Sequence, residues 1–163
     1  MIKVEFDKNN GVQKWLERFK RIEAKTIYTV KEPIIGTYLD AIENTIKNTP
    51  ATSGETRAGW AKPLEVEGRS LAAVVSPESG ILSKKDVRPA RSALDRGMEN
   101  SIYRKEIDKE SINLETINSN PGAVATEYGD SRTPPTAAVR QAAMTLVEDA
   151  KEVIGITIKE VAK

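Results

Sequence analysis

The stretch Asn118–Ala143, NSNPGAVATEYGDSRTPPTAAVRQAA, constrains the fold most, because it holds several backbone instructions in close succession. Asn120-Pro121-Gly122 is turn chemistry: proline presets φ at about −65° and glycine accepts positive φ. Ala123–Tyr128 then reads as a short apolar strand, able to return antiparallel to whatever precedes the turn. Asp130-Ser131-Arg132 reads as a solvated loop. Thr133 suits the N-cap of a helix whose first residue is Pro134, where a missing N–H costs nothing. From there Val139, Ala143, Leu146, Val147, Ala150, Val153 and Ile154 form one apolar stripe at helical spacing. Gly155 bends or ends the helix, and Ile158 and Val161 extend the stripe.

The rest of the chain supplies what this helix packs on. Ile2, Val4 and Phe6 alternate with Lys3 and Glu5, as in a short strand or the lead-in to a helix, and Asn9 or Asn10 suits an N-cap. Val12, Trp15, Leu16, Phe19 and Ile22 share one helical face, opposite Lys14, Glu17, Arg18 and Lys20. Thr29 and Glu32 have capping-box spacing, Pro33 fits a first turn, and Ile35, Tyr38, Leu39, Ile42 and Ile46 follow at helical spacing, so a second helix is expected from about Val30 to Lys47. If the break is only a bend, the two form one kinked rod. Pro50 stops it. The segment Thr49–Trp60 is small and polar and reads as a loop, with Trp60 as a packing anchor or binding residue. Leu64–Glu67 and Leu71–Ser76 read as strands joined at Gly68 in a hairpin, and Ile112 and Leu114 as a half-buried strand.

Residues 83–109 differ in character. Lys84, Lys85, Arg88, Arg91, Arg96, Arg104 and Lys105 outnumber the acids, and Ala90, Leu94 and Met98 hint at a short helix. The segment reads as an insertion or arm, either a basic patch for phosphate or a solvated charged face. The expected fold is α+β, in a single domain over 1–163. A long N-terminal helix or helix pair and a C-terminal helix pack on a small, mostly antiparallel sheet of three to four strands.

Composition narrows the chemistry. The 163 residues contain no histidine and no cysteine, so neither a Ser-His-Asp nor a Cys-His arrangement can be built, and no thiolate metal site. Neither a P-loop nor a dinucleotide fingerprint is present. Glu127 and Asp130 remain as a carboxylate pair, the weakest hypothesis, for a hydrolase. Lysines and arginines number 25 against 24 acids, so overall charge gives no reason to expect nucleic acid or membrane. No apolar run approaches the roughly 20 residues that span a bilayer. No signal-peptide core is visible in MIKVEFDKNN, so assembly in a cytoplasm is expected. No enzyme activity, cofactor or metal is expected.

Four pieces, in this order, resemble one family. They are the long amphipathic N-terminal helix ending in a proline loop; Thr52-Ser53-Gly54-Glu55-Thr56-Arg57-Ala58-Gly59-Trp60; Ile117-Asn118-Ser119-Asn120 leading to Ala125-Thr126-Glu127-Tyr128-Gly129; and Arg132-Thr133-Pro134-Pro135 followed by Val139-Arg140-Gln141-Ala142. Together they are similar to the tail-completion, or head–tail joining, proteins of long-tailed bacteriophages. Three departures stand out: Ser53-Gly54 replaces Thr-Gly, Asp130 follows Gly129 where Thr or Ser is usual, and Thr136-Ala137-Ala138 stands where an aromatic follows the second proline.

The resemblance implies helices on one face of a small antiparallel sheet. It also implies a homo-oligomeric ring, six-fold in expectation, at the neck of a virion. Such a ring completes the tail, contacts a connector or adaptor on one side and a tail terminator or tail-tube protein on the other, and passes DNA through its lumen without reading sequence. Arg57, Trp60, Glu127, Tyr128, Asp130, Arg132 and Arg140 are then the expected interface residues, with Glu127 and Arg132 pairing across neighbouring subunits and Arg57 reaching an acidic partner. The basic arm is expected to touch a neighbour or line the lumen. A tail-terminator ring is the nearest alternative. A nucleic-acid-binding module using Lys84–Arg104 is a further one, marked by steep salt dependence.

Overall fold

The computed structural model describes residues 11–50, 54–71, 87–129 and 134–161. Helix α1 spans Gly11–Asn48 as one continuous rod with Pro33 inside it. Proline in a helix interior costs about 3 kcal/mol, because it removes one ladder bond and crowds the preceding turn. Ile35, Leu39, Ile42 and Ile46 follow it and are all at least 93% buried. Each such side chain is worth about 1.5–3 kcal/mol, so their burial outweighs the proline. The expected capping box at Thr29 therefore does not start a new helix. Thr29 instead donates its hydroxyl to the Lys25 carbonyl, and Thr37 donates to Pro33.

Two short helices follow, α2 (Glu55–Ala58) and α3 (Lys62–Val66). The expected strand at 64–67 is thus a helix. Pro63 sits in its first turn, where its missing N–H is harmless. Gly68, at φ 69°, ends it: the N–H of Arg69 bonds the Leu64 carbonyl and the N–H of Gly68 bonds that of Glu65. Those two bonds are a Schellman stop. Positive φ at a glycine serves a hairpin turn and a helix stop equally well, which is why the residue pattern misled. The expected partner strand, beginning at Leu71, runs into 72–76, outside the described residues.

Helix α4 (Val87–Glu99) leads into strand β1 (Ser101–Ile107), which pairs antiparallel with β2 (Ile112–Asn118), Ser101 opposite Asn118 and Ile107 opposite Ile112. The described part of the expected arm is therefore built into the body: 87–99 packs on α2 and 101–107 is half of the sheet. The described residues form a two-stranded sheet, fewer strands than expected. The difference arises partly at Ala123–Tyr128, which is not a strand but lies within helix α5 (Pro121–Tyr128). Asn120-Pro121-Gly122 is its start, with Asn120 at the N-cap position and Pro121 in the first turn. Helix α6 (Ala138–Val161) closes the fold along α1. It begins four residues after Pro134; residues 134–137 are irregular, and the cap expected of Thr133 lies outside the described residues.

The core gathers the C-terminal half of α1 with Ala61, Leu64, Trp60, Leu94, Met98, Ile107 and Leu114. Beside it lies a polar junction that joins α2, α4, β2 and α5. Asn118 donates its amide to the Thr56 carbonyl at 2.8 Å, and its amide oxygen accepts the Asn120 N–H at 3.1 Å. The buried Asn120 amide donates to the Glu55 carbonyl at 3.2 Å. Three glycines let the backbones come this close: a Cβ on Gly59 would overlap the Asn118 side chain, one on Gly122 the Thr56 hydroxyl, and one on Gly97 the Ala58 methyl and the Glu55 carbonyl.

A pair of alanine substitutions separates this close packing from glycine's general cost in helices. Gly97→Ala meets backbone that cannot give way, so it should destabilise by about 1–3 kcal/mol. Gly155→Ala meets nothing and should stabilise by about 0.5–1 kcal/mol. Chemical denaturation midpoints of the two variants, measured side by side, check both signs.

Candidate functional site

A groove of about 310 Å³ opens between α1, β2 and α6. Its walls are largely aliphatic: Ala41 and Ile42 from α1, Leu114 from β2, and Val139, Ala143 and Leu146 from α6. Trp60 and Tyr38 supply the aromatic part. A concave apolar surface with a few fixed polar groups suits an inserted side chain or small apolar ligand.

Each wall is held in place by a polar contact. Tyr38 shares a 2.6 Å hydroxyl hydrogen bond with Thr116, and its ring stacks on Tyr103 with centroids 6.4 Å apart. The Tyr103 hydroxyl donates to Glu67 at 3.0 Å, and Lys105 pairs with the other Glu67 oxygen at 2.8 Å. Burial first, then the Glu67 carboxylate, pushes the Tyr103 phenol far above its ordinary range, so it remains a donor at any physiological pH. Arg69 ties the loop after α3 to α1, bridging Asp40, Glu43 and the Gly36 carbonyl.

The α6 wall is set by Glu127. One carboxylate oxygen accepts the Val139 N–H at 3.0 Å; the other accepts the Arg140 N–H at 3.3 Å and the Arg140 Nε at 2.7 Å. Arg140 also donates to the Glu127 carbonyl at 2.9 Å and lies over the Tyr128 ring at 5.4 Å. A carboxylate from the end of α5 thus caps the N-terminus of α6, where unsatisfied N–H groups and the helix dipole favour negative charge. Thr136, just before the helix, is tied down as well: it donates both its N–H and its hydroxyl to the Thr126 carbonyl. Ala137, at φ 51°, takes the left-handed turn that leads into α6.

The sequence-derived site residues fall into three groups. Trp60 lines the groove. Glu127, Tyr128 and Arg140 form the clasp just described, so both Glu127 oxygens are engaged inside its own chain rather than held out for a neighbour. Arg57 is likewise turned inward: its Nε donates to the Thr49 carbonyl at the end of α1, and burial lowers the guanidinium from its ordinary range. Asp130 and Arg132 lie outside the described residues, so the expected Glu127–Arg132 pair and the Glu127–Asp130 carboxylate pair do too.

Of the basic segment, Lys84 and Lys85 lie outside the described residues, and Arg88 and Arg91 belong to α4 with side chains outside that set. Arg96 pairs with Glu55 at 2.7 Å, Arg104 with Glu115 at 2.9 Å and Lys105 with Glu67 at 2.8 Å. Three of the seven are therefore matched by acids of their own chain.

Sequence reasoning found Glu127 and Arg140 but not what they do. The cap is supplied from eleven residues before the helix starts, and local capping rules look only at the adjacent residues. Tyr38 lies in the expected helix from Val30 to Lys47 and Thr116 just past the expected strand at Ile112 and Leu114, and no local signal marks them as neighbours. Among the described residues no cluster of three or more acids could hold a metal ion, and no helix is long and apolar enough to cross a membrane.

Glu127→Ala removes a cap and leaves Arg140 without its carboxylate, at an expected cost of about 2 kcal/mol. Glu127→Gln keeps an acceptor and should cost less. Thermal unfolding of the two variants orders them, and a double-mutant cycle with Arg140→Ala should show clear coupling because the two share one network.

No family model, no curated protein and no solved structure matches the chain.

Proposed function

We propose that this chain is a structural subunit of a bacteriophage neck, forming a homo-oligomeric ring that completes the tail and joins it to the DNA-filled head. The reading rests on the sequence resemblance. The observation that supports it best is that separate motifs of that resemblance, distant in the chain, belong to one connected frame. Residues 55–56 of the second motif bond the Asn118 and Asn120 side chains of the third. Glu127 of the third bonds Val139 and Arg140 of the fourth. The frame ends at an open apolar groove with Trp60 in its wall, a surface suited to taking a side chain from an adjoining subunit or ring layer. The connector or adaptor, the tail terminator or tail-tube protein and the passing DNA are its proposed neighbours, and the virion neck its proposed location.

The own-chain ion pairs of Arg96, Arg104 and Lys105 favour this reading over a nucleic-acid module built on the basic segment, since their charge is already matched. A tail-terminator or other ring-forming tail protein differs mainly in which layer it meets.

Interrupting the gene should leave DNA-filled heads and uncompleted tails unjoined in electron micrographs, and adding the purified chain to that lysate should restore infectious particles. Fully joined, infectious particles from the interrupted gene would remove the proposal.

A further inference from the structure

Strand β2 has one partner and one free edge. In its pairing with β1, two flanking bonds fix the alternation: the Asp108 N–H donates to the Ser111 carbonyl, and the Ser119 N–H to that of Asn100. Asn113, Glu115 and Ile117 therefore use their N–H and C=O groups on β1, while Ile112, Leu114 and Thr116 direct theirs away from it. Among the described residues no hydrogen bond reaches those outward groups.

The groove lies along that edge. Leu114, Glu115 and Thr116 all border it, although side chains alternate between the two faces of a strand, so the backbone edge itself is part of the wall. Helix α6 stands opposite with Ala143 and Leu146, and α1 makes the floor with Ala41 and Ile42. Leu114 and Thr116 turn toward α1 as well, Leu114 to the core and Thr116 to the Tyr38 hydroxyl. A chain lying in the groove meets open N–H and C=O groups at one side, an apolar floor beneath and solvent above. An added β-strand with apolar residues at every second position satisfies all three.

This chain carries such a segment ahead of α1 and outside the described residues, Ile2-Lys3-Val4-Glu5-Phe6. It cannot reach its own groove. At about 1.5 Å per residue, α1 sets Tyr38 roughly 40 Å from Gly11. The chain from Phe6 to Gly11 spans at most about 18 Å even when fully extended. The groove of a second copy carries no such restriction. With Ile2, Val4 and Phe6 turned to the floor, Lys3 and Glu5 share the outer face with Glu115. An antiparallel register that sets Lys3 beside Glu115 sets Glu5 beside Asn113, so no like charges sit directly opposite.

We infer that residues 2–6 of one copy of this chain add as a third strand to the free edge of β2 in a second copy, in the groove against α6. Each copy offers one strand and one groove, so the contact is heterologous and its repetition closes a ring or grows a filament. The inference rests on the ring reading above and names the strand and the groove that would link its subunits.

The test uses the purified full-length chain in sedimentation velocity over a concentration series. The unaltered chain should self-associate. Val4→Asp with Phe6→Asp disables the strand, and Ala143→Trp, at an exposed position, fills the groove without touching the core. Each variant alone should associate at least tenfold more weakly, with the circular dichroism of the body unchanged. Mixed in equal amounts, they should form a species of two chains that grows no further, because the mixture pairs one intact strand with one intact groove. A peptide of sequence MIKVEFDK in large excess should also block association of the unaltered chain, and the same peptide with both aspartates should not; this arm stands even if Ala143→Trp fails to fold. A chain that stays monomeric throughout overturns the inference. So does association indifferent to either folded variant or to the peptide, or a mixture of folded variants that does not pair. Heads and tails that still fail to join without the gene would leave the neck reading standing while this contact falls, because that reading is judged in particles.

Discussion

The fold depends on finding donors for backbone carbonyls where four elements converge without a shared sheet or long helix to satisfy them. Helices α2 and α4 and the end of β2 meet α5 at one buried point. The Thr56 carbonyl reaches it, and left unpaired there it would cost about 1–3 kcal/mol. The Asn118 amide meets that need, while the Asn120 amide gives the Glu55 carbonyl a second donor beside the Gly59 N–H, with the Asn118 oxygen holding Asn120 in turn. Longer amides would not fit, because Gly59, Gly97 and Gly122 have already removed the Cβ atoms that would keep the backbones apart. The junction is polar yet dense, and it lets helices of four and eight residues hold fixed positions when neither is long enough to be stable alone.

The groove follows from that frame. Fixing β2 at Asn118 places Leu114 and Thr116 against α1, where Tyr38 closes a hydrogen bond to Thr116. Fixing the start of α5 at Asn120 places Glu127, two turns on, where its carboxylate takes the first N–H groups of α6. The third wall is thereby positioned through one side chain and the tied-down Thr136 before it. The chain from Asn118 to Ala143 acts as a single transmission: amide, helix, carboxylate, helix.

That stretch was also the most prominent in the sequence, and its chemistry was read with the wrong geometry. Its punctuation was legible, because proline and glycine announce a change of direction in any context. Which element comes next was not. Ala123–Tyr128 is too short for periodicity to separate strand from helix, and the tertiary contacts of Asn120 decide it. Gly68 failed for the same reason, since positive φ ends a helix as readily as it turns a hairpin. The long apolar spacings of α1 and α6 were legible because many residues vote together, and the buried set Ile35, Leu39, Ile42 and Ile46 matches the expected face. The reach of Glu127 to a helix eleven residues away was not legible, because nothing in the order of residues tells how a loop folds back.

The width of the α6 stripe carries a further consequence. Read as a sequence it is one stripe; in the fold it is two adjacent rows, and a single helix neighbour fills only one of them. The inner row of Ala142, Leu146, Ala150, Val153 and Thr157 is used by α1, while Val147, Ile154 and Met144 remain at the surface. Helical periodicity therefore reports how much apolar arc exists and is silent on how many partners share it. In α1 the apolar arc shifts along the helix: Leu16 lies about 100° round the axis from Ile35, so the two halves of one rod present different faces.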